Sequence, residues 1–154
     1  MAILPKSILA AAVIFCGAAP HFISRAEPPA KEATAASRDV SAAEVNGTWK
    51  CGKNIFKIWA LGNGKLQVDF DGVFEYKSPY GPSANLGNGA GVAAIVGDTA
   101  VFVPGGSVQD GKITLKFSGG KLIAVQEGRC GFGNRVYADG TYRKISSRKP
   151  KFGE

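Results

Sequence analysis

Two stretches of the chain alternate strictly between apolar and polar residues, and this alternation restricts the fold more than any other feature. Apolar side chains occupy every second position of Leu66–Asp71 and of Ile113–Phe117. Successive side chains of a β-strand point to opposite faces, so each stretch predicts a strand with one buried face and one face in water. Other strand candidates are residues 48–51, 55–61, 73–76, 92–96, 100–103, 122–126 and 140–145.

Short glycine-containing segments separate these strands. The 154 residues include 21 Gly, and residues 62–64, 71–72, 97–98 and 118–120 stand between apolar runs. Gly, Asn and Asp tolerate the positive φ angles of tight hairpin turns, so neighbouring strands are expected to pair antiparallel. The sequence therefore predicts an all-β fold class, a single small antiparallel meander barrel or sandwich of about eight strands. We favour the barrel because closure removes exposed sheet edges.

The N-terminus has the three parts of a secretory signal. Lys6 gives a positive start, Ile8–Ala19 is apolar, and Ser24–Ala26 offers small residues at a cleavage site. We expect residues 1–26 to be a signal peptide and the protein to be periplasmic or secreted. The alternatives are an uncleaved anchor and lipidation at Cys16. No transmembrane segment is expected in the mature form, because no later stretch is apolar for the ~20 residues that a spanning helix needs.

The mature chain is expected to have three parts. Residues 27–45 are rich in Ala, Pro, Glu and Ser and predict a disordered linker, with a short helix at residues 40–45 as an option. Residues 46–145 form the β domain, and residues 146–154 form a basic C-terminal tail. Loss of Lys6 and Arg25 with the signal peptide would lower the net charge from +7 by two, to +5. A basic tail can attract an anionic surface.

Histidine and cysteine usage argues against most catalytic chemistry. The single His, His21, lies in the predicted signal peptide, so the mature chain would lack a Ser-His-Asp triad and a histidine zinc site. Its two cysteines, Cys51 and Cys130, predict one disulfide in an oxidising compartment. We therefore expect a non-enzymatic protein without cofactor or metal. The enzymatic alternative is a hydrolase that uses the carboxylates Asp69, Asp71 and Glu75.

The candidate binding residues lie mainly outside the predicted strands. Residues 78–91 read as a Gly/Pro-rich recognition loop, since loops of this length in small domains are commonly functional. The expected partner is an envelope component or a target enzyme, with an anionic surface bound through the basic tail and no nucleic acid. Phe132 could instead fill the mouth of the barrel. The predicted binding residues are Tyr80, Ser83, Asn85, Phe132, Arg143 and Lys144.

Four segments carry a resemblance. Gly81–Asn85, Gly97–Phe102, Cys130–Gly133 and Ala138–Lys144 resemble corresponding segments in a group of small exported bacterial proteins that are largely uncharacterised. The resemblance covers roughly residues 47–152 and implies a compartment more than an activity. In architecture alone the chain is similar to periplasmic lysozyme inhibitors, which implies inhibition of a lysozyme or protease as an alternative function. A net charge of +5 would repel cationic lysozymes at long range.

Overall fold

The structure, a computed structural model, describes residues 38–105 and 110–153. The predicted signal peptide and most of the predicted linker lie outside these residues. Within these residues the chain forms one helix of four residues, which is too short to cross a membrane. The elements are α1 (Ala42–Val45), β1 (Gly47–Cys51), β2 (Asn54–Gly62), β3 (Lys65–Ser78), β4 (Gly81–Val96), β5 (Thr99–Phe102), β6 (Lys112–Ser118), β7 (Lys121–Glu127) and β8 (Gly140–Ser146).

The eight strands form a closed barrel. Each strand pairs antiparallel with the next along the chain, and β8 pairs with β1. The predicted all-β meander of about eight strands is confirmed, and the barrel is the correct one of the two architectures. Three predicted turns are confirmed at residues 63–64, 97–98 and 119–120, where Asn63 and the glycines have positive φ. These residues allow tight reversals that an ordinary L-residue would resist.

The predicted turn at residues 71–72 and the predicted loop at residues 78–91 are wrong. β3 runs without interruption through Gly72, and β4 begins at Gly81, so the two strands form one long hairpin with Gly72 opposite Gly87. Alternation does continue along β4, because Gly87 and Gly89 are buried while Leu86 and Asn88 are exposed. A glycine on the buried face carries no apolar side chain, and this hides the strand pattern.

Apolar side chains fill the inside of the barrel. Phe56 packs against Phe70 with ring centroids 4.8 Å apart and against Tyr142 at 4.9 Å. The Tyr142 hydroxyl donates a hydrogen bond of 2.8 Å to the Ala138 carbonyl, so its polar atom is satisfied within the core. Burial raises the pKa of Tyr142 well above its ordinary value. The barrel is thus a packed core. Its other fully buried large side chains are Trp49, Phe102, Ile58, Leu66, Ile113, Leu115, Leu122 and Val68.

The antiparallel order gives the barrel two distinct ends. We call the end that carries α1 and the β2–β3, β4–β5 and β6–β7 turns the helix end. There the Trp49 indole N–H donates to the Val45 carbonyl at 3.0 Å, and the Val40 N–H donates to the Gly97 carbonyl. The other end, here the loop end, carries the β1–β2, β3–β4 and β5–β6 connections and the β7–β8 loop, residues 128–139. Each end is therefore covered by a different segment.

The predicted Cys51–Cys130 disulfide is also wrong, because both cysteines are free thiols. Cys51 ends β1 and faces Gly140 of β8, where an added Cβ would lie 3.0 Å from the Cys51 Sγ. Cys130 is buried in the β7–β8 loop beside Gly111. Burial raises the pKa of the Cys130 thiol, and the nearby Asp139 charge raises it further. Burial and the Asp139 charge thus favour the thiol form of Cys130 over the thiolate.

Candidate functional site

The β3–β4 hairpin projects beyond its neighbouring strands at the loop end. Pairing of β3 with β2 stops at Asp71, whereas pairing of β3 with β4 continues to Ser78 opposite Gly81. In the turn, the Ser78 hydroxyl accepts a hydrogen bond from the Tyr80 N–H and donates one to the Gly81 carbonyl. This closes the turn and leaves the Tyr80 side chain 100% exposed. The hairpin is therefore an ordered projection with an aromatic residue at its tip.

One face of the hairpin carries a stack of three side chains. Phe74 and Tyr76 are two residues apart on β3, and their rings are stacked with centroids 6.5 Å apart. The Arg135 guanidinium lies 4.3 Å from the centroid of the Phe74 ring, a cation–π contact. Within the described residues, Arg135 has no carboxylate in ion-pair contact. Its hydrogen-bond donors are thus held in place by the ring and remain available.

Ser83 and Asn85 lie on the same face of the hairpin as this stack. Their cross-strand partners are Tyr76 for Ser83 and Phe74 for Asn85. The Asn85 side-chain amide donates a hydrogen bond of 2.7 Å to the Asn134 carbonyl, which ties the hairpin to the β7–β8 loop. The hairpin therefore brings predicted residues Ser83 and Asn85 beside an aromatic pair, although it does so as paired strands.

The β7–β8 loop is fastened across the loop end. The Gly133 N–H donates to the Leu86 carbonyl of β4 at 2.9 Å, and the Asn54 side chain of β2 donates to the Tyr137 carbonyl at 2.9 Å. Arg135 within this loop has a φ of 64°, a left-handed conformation that is uncommon for residues other than glycine. The backbone of the loop thus holds Arg135 in an unusual conformation over the hairpin.

Phe132 is the part of this loop that enters the barrel mouth. Its ring centroid is 4.8 Å from that of Phe70, and the side chain is half-buried. A Cβ added to Gly87 would lie 2.8 Å from the Phe132 Cβ and 2.8 Å from a methyl carbon of Val136. A Cβ on Gly89 would lie 3.3 Å from the Phe132 ring. The glycines of β4 thus make room for Phe132, which takes the mouth-filling position.

Arg143 and Lys144 are adjacent on β8 and point to opposite faces. Arg143 is exposed on the outside of the barrel. The Lys144 ammonium donates to the carbonyls of Ala43 at 2.7 Å and Glu44 at 2.8 Å, at the end of α1, and lies 4.7 Å from the Trp49 ring. Burial lowers the pKa of Lys144, and the charge of Glu44 partly opposes this. Lys144 therefore caps the helix, and only Arg143 is available at the surface.

Ion pairs engage the three carboxylates of the hydrolase alternative. The Lys57 ammonium lies 3.8 Å from the Asp69 carboxylate and 3.2 Å from that of Asp71. Glu75 pairs with Lys53. Each of the three carboxylates therefore has a lysine in ion-pair contact.

The basic C-terminal tail lies against the outside of β2 and β3. The Gly153 N–H donates to the Asp69 carboxylate at 3.3 Å, and this contact accompanies the near-complete burial of Asp69, which is 6% exposed. The Lys149 ammonium lies 5.8 Å from the Trp59 ring. The charged heads of Arg148 and Lys149 nevertheless belong to exposed residues. The tail is thus an ordered segment with its cations at the surface.

Comparison with known proteins gives no likeness from which a function could be taken. No family model, no curated protein and no solved structure matches the chain. Over residues 38–105 and 110–153, no group of three or more His, Cys, Asp or Glu side chains is placed to hold a metal ion. The candidate site is therefore defined by its own geometry, namely the Tyr80 tip together with the stack of Tyr76, Phe74 and Arg135.

Sequence reasoning misses three members of this site. It predicts Phe74 and Tyr76 only as residues of a strand at 73–76, and it does not single out Arg135. A signal for Tyr76 does exist, since Phe74 and Tyr76 continue the alternation of Phe70 past the length of the neighbouring strand. Arg135 could not be found in this way, because its partner Phe74 is distant in sequence.

Proposed function

We propose that this protein is an exported, non-enzymatic binding module of the bacterial envelope, and that the projecting β3–β4 hairpin is its recognition surface. The observation that carries the proposal is the exposed tip residue Tyr80 beside the stacked Tyr76, Phe74 and Arg135. Tyrosine is enriched in binding surfaces because its ring contributes contact area with few rotatable bonds while its hydroxyl forms hydrogen bonds. A rigid aromatic projection loses little conformational entropy when it binds.

The ordered attachment of the hairpin supports this role. Gly133 and Asn134 of the β7–β8 loop hydrogen-bond to β4, so the stack is held before any partner arrives. Binding surfaces built on rigid elements retain their geometry better than free loops. The basic C-terminal tail, with exposed Arg148 and Lys149, is the second part of the proposal and would contact an anionic layer.

Site-specific photocrosslinking in the native host tests the recognition surface. A benzoyl-phenylalanine at position 80 is expected to capture a distinct envelope component, because the side chain there is fully exposed. The same residue at position 61, where Leu61 is 53% exposed at the helix end, is the matched control. Capture of the same components from both positions, or of none from position 80, would contradict the proposal. Edman sequencing of the secreted form tests export separately, with Glu27 expected as its first residue.

Inhibition of a lysozyme or protease is the second candidate function. It is favoured by the shape of the hairpin, whose two-stranded projection with a tyrosine at the tip suits insertion into an enzyme cleft. Wild-type protein and a Tyr80→Ala variant are to be assayed against a panel of muramidases and proteases. Inhibition that is lost in the variant supports this function. Unchanged activity across the panel counts against it and leaves the non-enzyme binding partner as the target of the hairpin.

A further inference from the structure

Three cations lie side by side on the outside of the barrel, on three neighbouring strands. Lys50 of β1 is the cross-strand partner of Arg143 of β8, and Arg143 is the partner of Lys121 of β7. Directly opposed residues have Cβ atoms about 5 Å apart and share one face of the sheet. All three residues are exposed. We call Lys50, Arg143 and Lys121 the basic row.

The basic row differs from Lys112 and Lys116, which lie on the neighbouring face of the barrel, in having no acidic partner in the described residues. Lys112 pairs with Glu127 at 2.8 Å, and Lys116 pairs with Asp98 at 3.9 Å. In the part of the chain that the structure describes, no ion pair involves a residue of the basic row. Like charges directly opposite one another destabilise a sheet. The row therefore has an electrostatic cost that the fold does not relieve.

Protection of a sheet edge does not explain the row. Lysines on edge strands prevent aggregation through unpaired backbone groups. Here β1, β7 and β8 each pair with a strand on both sides, because the barrel is closed. The row also makes no contact with the core, since its side chains point outward. Three adjacent exposed cations create a positive potential that favours binding of an external anion.

Exposed aliphatic side chains border the basic row. Ile145 follows Arg143 by two positions on the same face of β8 and is 57% exposed. Ile123 follows Lys121 in the same way on β7 and is 38% exposed, and Val125 beyond it is 47% exposed. Cations beside apolar side chains match the boundary of an anionic lipid layer, where phosphate groups lie next to acyl chains. A soluble anion such as inorganic phosphate would use the cations alone.

We propose that the outer face of β1, β8 and β7 is a membrane-contact surface, in which Lys50, Arg143 and Lys121 bind anionic phospholipid headgroups and Ile123 and Ile145 enter the headgroup layer. This surface is formed by the barrel wall, so it is distinct from the recognition hairpin and from the C-terminal tail. A cation near such a layer contributes about 1 kcal/mol, which is about fivefold in affinity. Three such cations together raise the affinity for the anionic layer about a hundredfold.

The test compares vesicles of phosphatidylcholine alone with vesicles in which about one third of the lipid is phosphatidylglycerol. The full chain is used, and the ratio of its two partition coefficients cancels apolar binding that is common to both vesicle types. The variant Lys50→Gln, Lys121→Gln, Arg143→Gln is expected to lower this ratio about a hundredfold. Its fold should be retained, because the changes remove like-charge repulsion at exposed positions.

The matched control removes three exposed cations that lie elsewhere. Lys65 begins β3, Lys77 lies near the hairpin tip and Arg129 lies in the β7–β8 loop. The variant Lys65→Gln, Lys77→Gln, Arg129→Gln has the same net charge as the row variant and should lower the ratio less than about fivefold. Equal losses in the two variants would show an effect of net charge alone and would overturn the proposal. An unchanged ratio in the row variant would overturn it as well.

A second measurement locates the contact directly. With a gadolinium chelate on the lipid headgroups of phosphatidylglycerol bicelles, NMR signals of amides 121–125 and 143–145 are expected to broaden more than those of amides 65–69 on β3. Broadening centred on residues 65–69, with none at 121–125 and 143–145, would place the lipid on another face of the barrel and refute the assignment, whatever the tail shows. Soluble inorganic phosphate, added up to about 0.1 M, should compete only by ionic screening. Saturable phosphate binding at the row would identify a phosphate site and overturn membrane contact.

Discussion

At the helix end of the barrel local contacts stand beside distant ones, whereas the contacts that fasten the loop to the hairpin at the loop end join residues far apart. The Ser41 cap lies three residues from Glu44, and Trp49 bonds to Val45 four residues before it. At the loop end, Asn85 bonds to Asn134, which is 49 residues away. The helix end thus has local signals in its sequence, although Lys144 also reaches the Glu44 carbonyl from 100 residues away. The loop end depends on a segment that fits only when the whole barrel has formed.

The difference between the ends also separates structure from recognition. Around Trp49, the aromatic ring, the Lys144 ammonium and the helix carbonyls satisfy one another. At the loop end, Phe132 fills the mouth, while the Arg135 guanidinium and the Tyr80 hydroxyl have no hydrogen-bond or ion-pair partner within the described residues. A surface with unused donors held in fixed positions is suited to binding, because little reorganisation is needed.

Truncation of the helix-end aromatic is expected to have the largest effect. Trp49→Ala should lower the free energy of unfolding by about 3–5 kcal/mol, because it removes a buried ring and leaves a cavity. Trp49 is 1% exposed, and the centroid of its ring lies 5.8 Å from that of Phe117. Urea denaturation monitored by far-UV circular dichroism measures the change. Trp59→Ala, at a half-buried position on the outer face, is the control, and an equal loss there would contradict this account of the helix end.

Truncation of the loop-end aromatic should have the next largest effect. Phe132→Ala is expected to lower the free energy of unfolding by roughly 2–3 kcal/mol, less than a core Phe, because the side chain is only half-buried. Hydrogen exchange should show faster exchange of the Gly133 amide, whose bond to Leu86 depends on the seated loop. Protection of this amide equal to that of the wild type would mean that Phe132 does not hold the loop in place.

A methyl group on the buried face of β4 should disturb the loop end from the other side. Gly87→Ala is expected to lower the free energy of unfolding by about 1–3 kcal/mol, because the new Cβ overlaps Phe132 and Val136. Thermal unfolding of the variant measures the loss. Ala90→Val adds bulk on the exposed face of the same strand and should cost nothing measurable. Destabilisation by Ala90→Val of the same size would refute a specific role for the buried glycine.

Loss of the helix cap should have a smaller effect at the helix end. Ser41→Ala is expected to lower the free energy of unfolding by about 1 kcal/mol, because the Glu44 amide loses its side-chain acceptor. The measurement is the urea midpoint at constant slope. Ser118→Ala, at an exposed residue ending β6, is the control. If the two variants have the same midpoint, the capping contact does not stabilise the end.

The smallest expected effect at the helix end is the pH dependence of the stability that the same cap contributes. Hydrogen bonds from the backbone and hydroxyl of Ser41, and then from Arg38, hold the pKa of Glu44 below its ordinary value of 4.5. Because the folded pKa is lowered, this contribution to stability is present above the unfolded pKa and is lost as the pH falls through the folded pKa. The stability difference between wild type and Glu44→Gln should therefore shrink on acidification. A difference that stays constant down to about pH 3 would exclude ionisation of Glu44 as its cause.

The predictable part of the fold rests on alternation and turn chemistry. β6 and β7 are confirmed within one residue of their predicted bounds at each end. Ile113–Phe117 alternates between apolar and polar residues, Leu122–Val125 is a short apolar run, and glycines separate the two segments. The start of β4 was not predicted because Gly87 and Gly89 occupy buried positions there, and Phe132 of the β7–β8 loop fills the space beside them. For the candidate site, the sequence predicts Tyr80 and Ser83 as binding residues but assigns both to a loop, whereas Ser83 lies on β4. Arg135 was not predicted as a site residue because its aromatic partner, Phe74, is distant in the sequence.

The sequence by itself determined the all-β meander, the confirmed tight turns and the filled barrel interior, because alternation and positive-φ residues act over a few positions. The tertiary structure alone decided that both cysteines are free thiols, that Phe132 fills the mouth and that Lys144 caps α1. It also decided that Lys50, Arg143 and Lys121 stand in one row, since residues of the first strand and the last two become neighbours only when the barrel closes. Closure joins distant segments, and distance along the chain conceals such contacts from any local pattern.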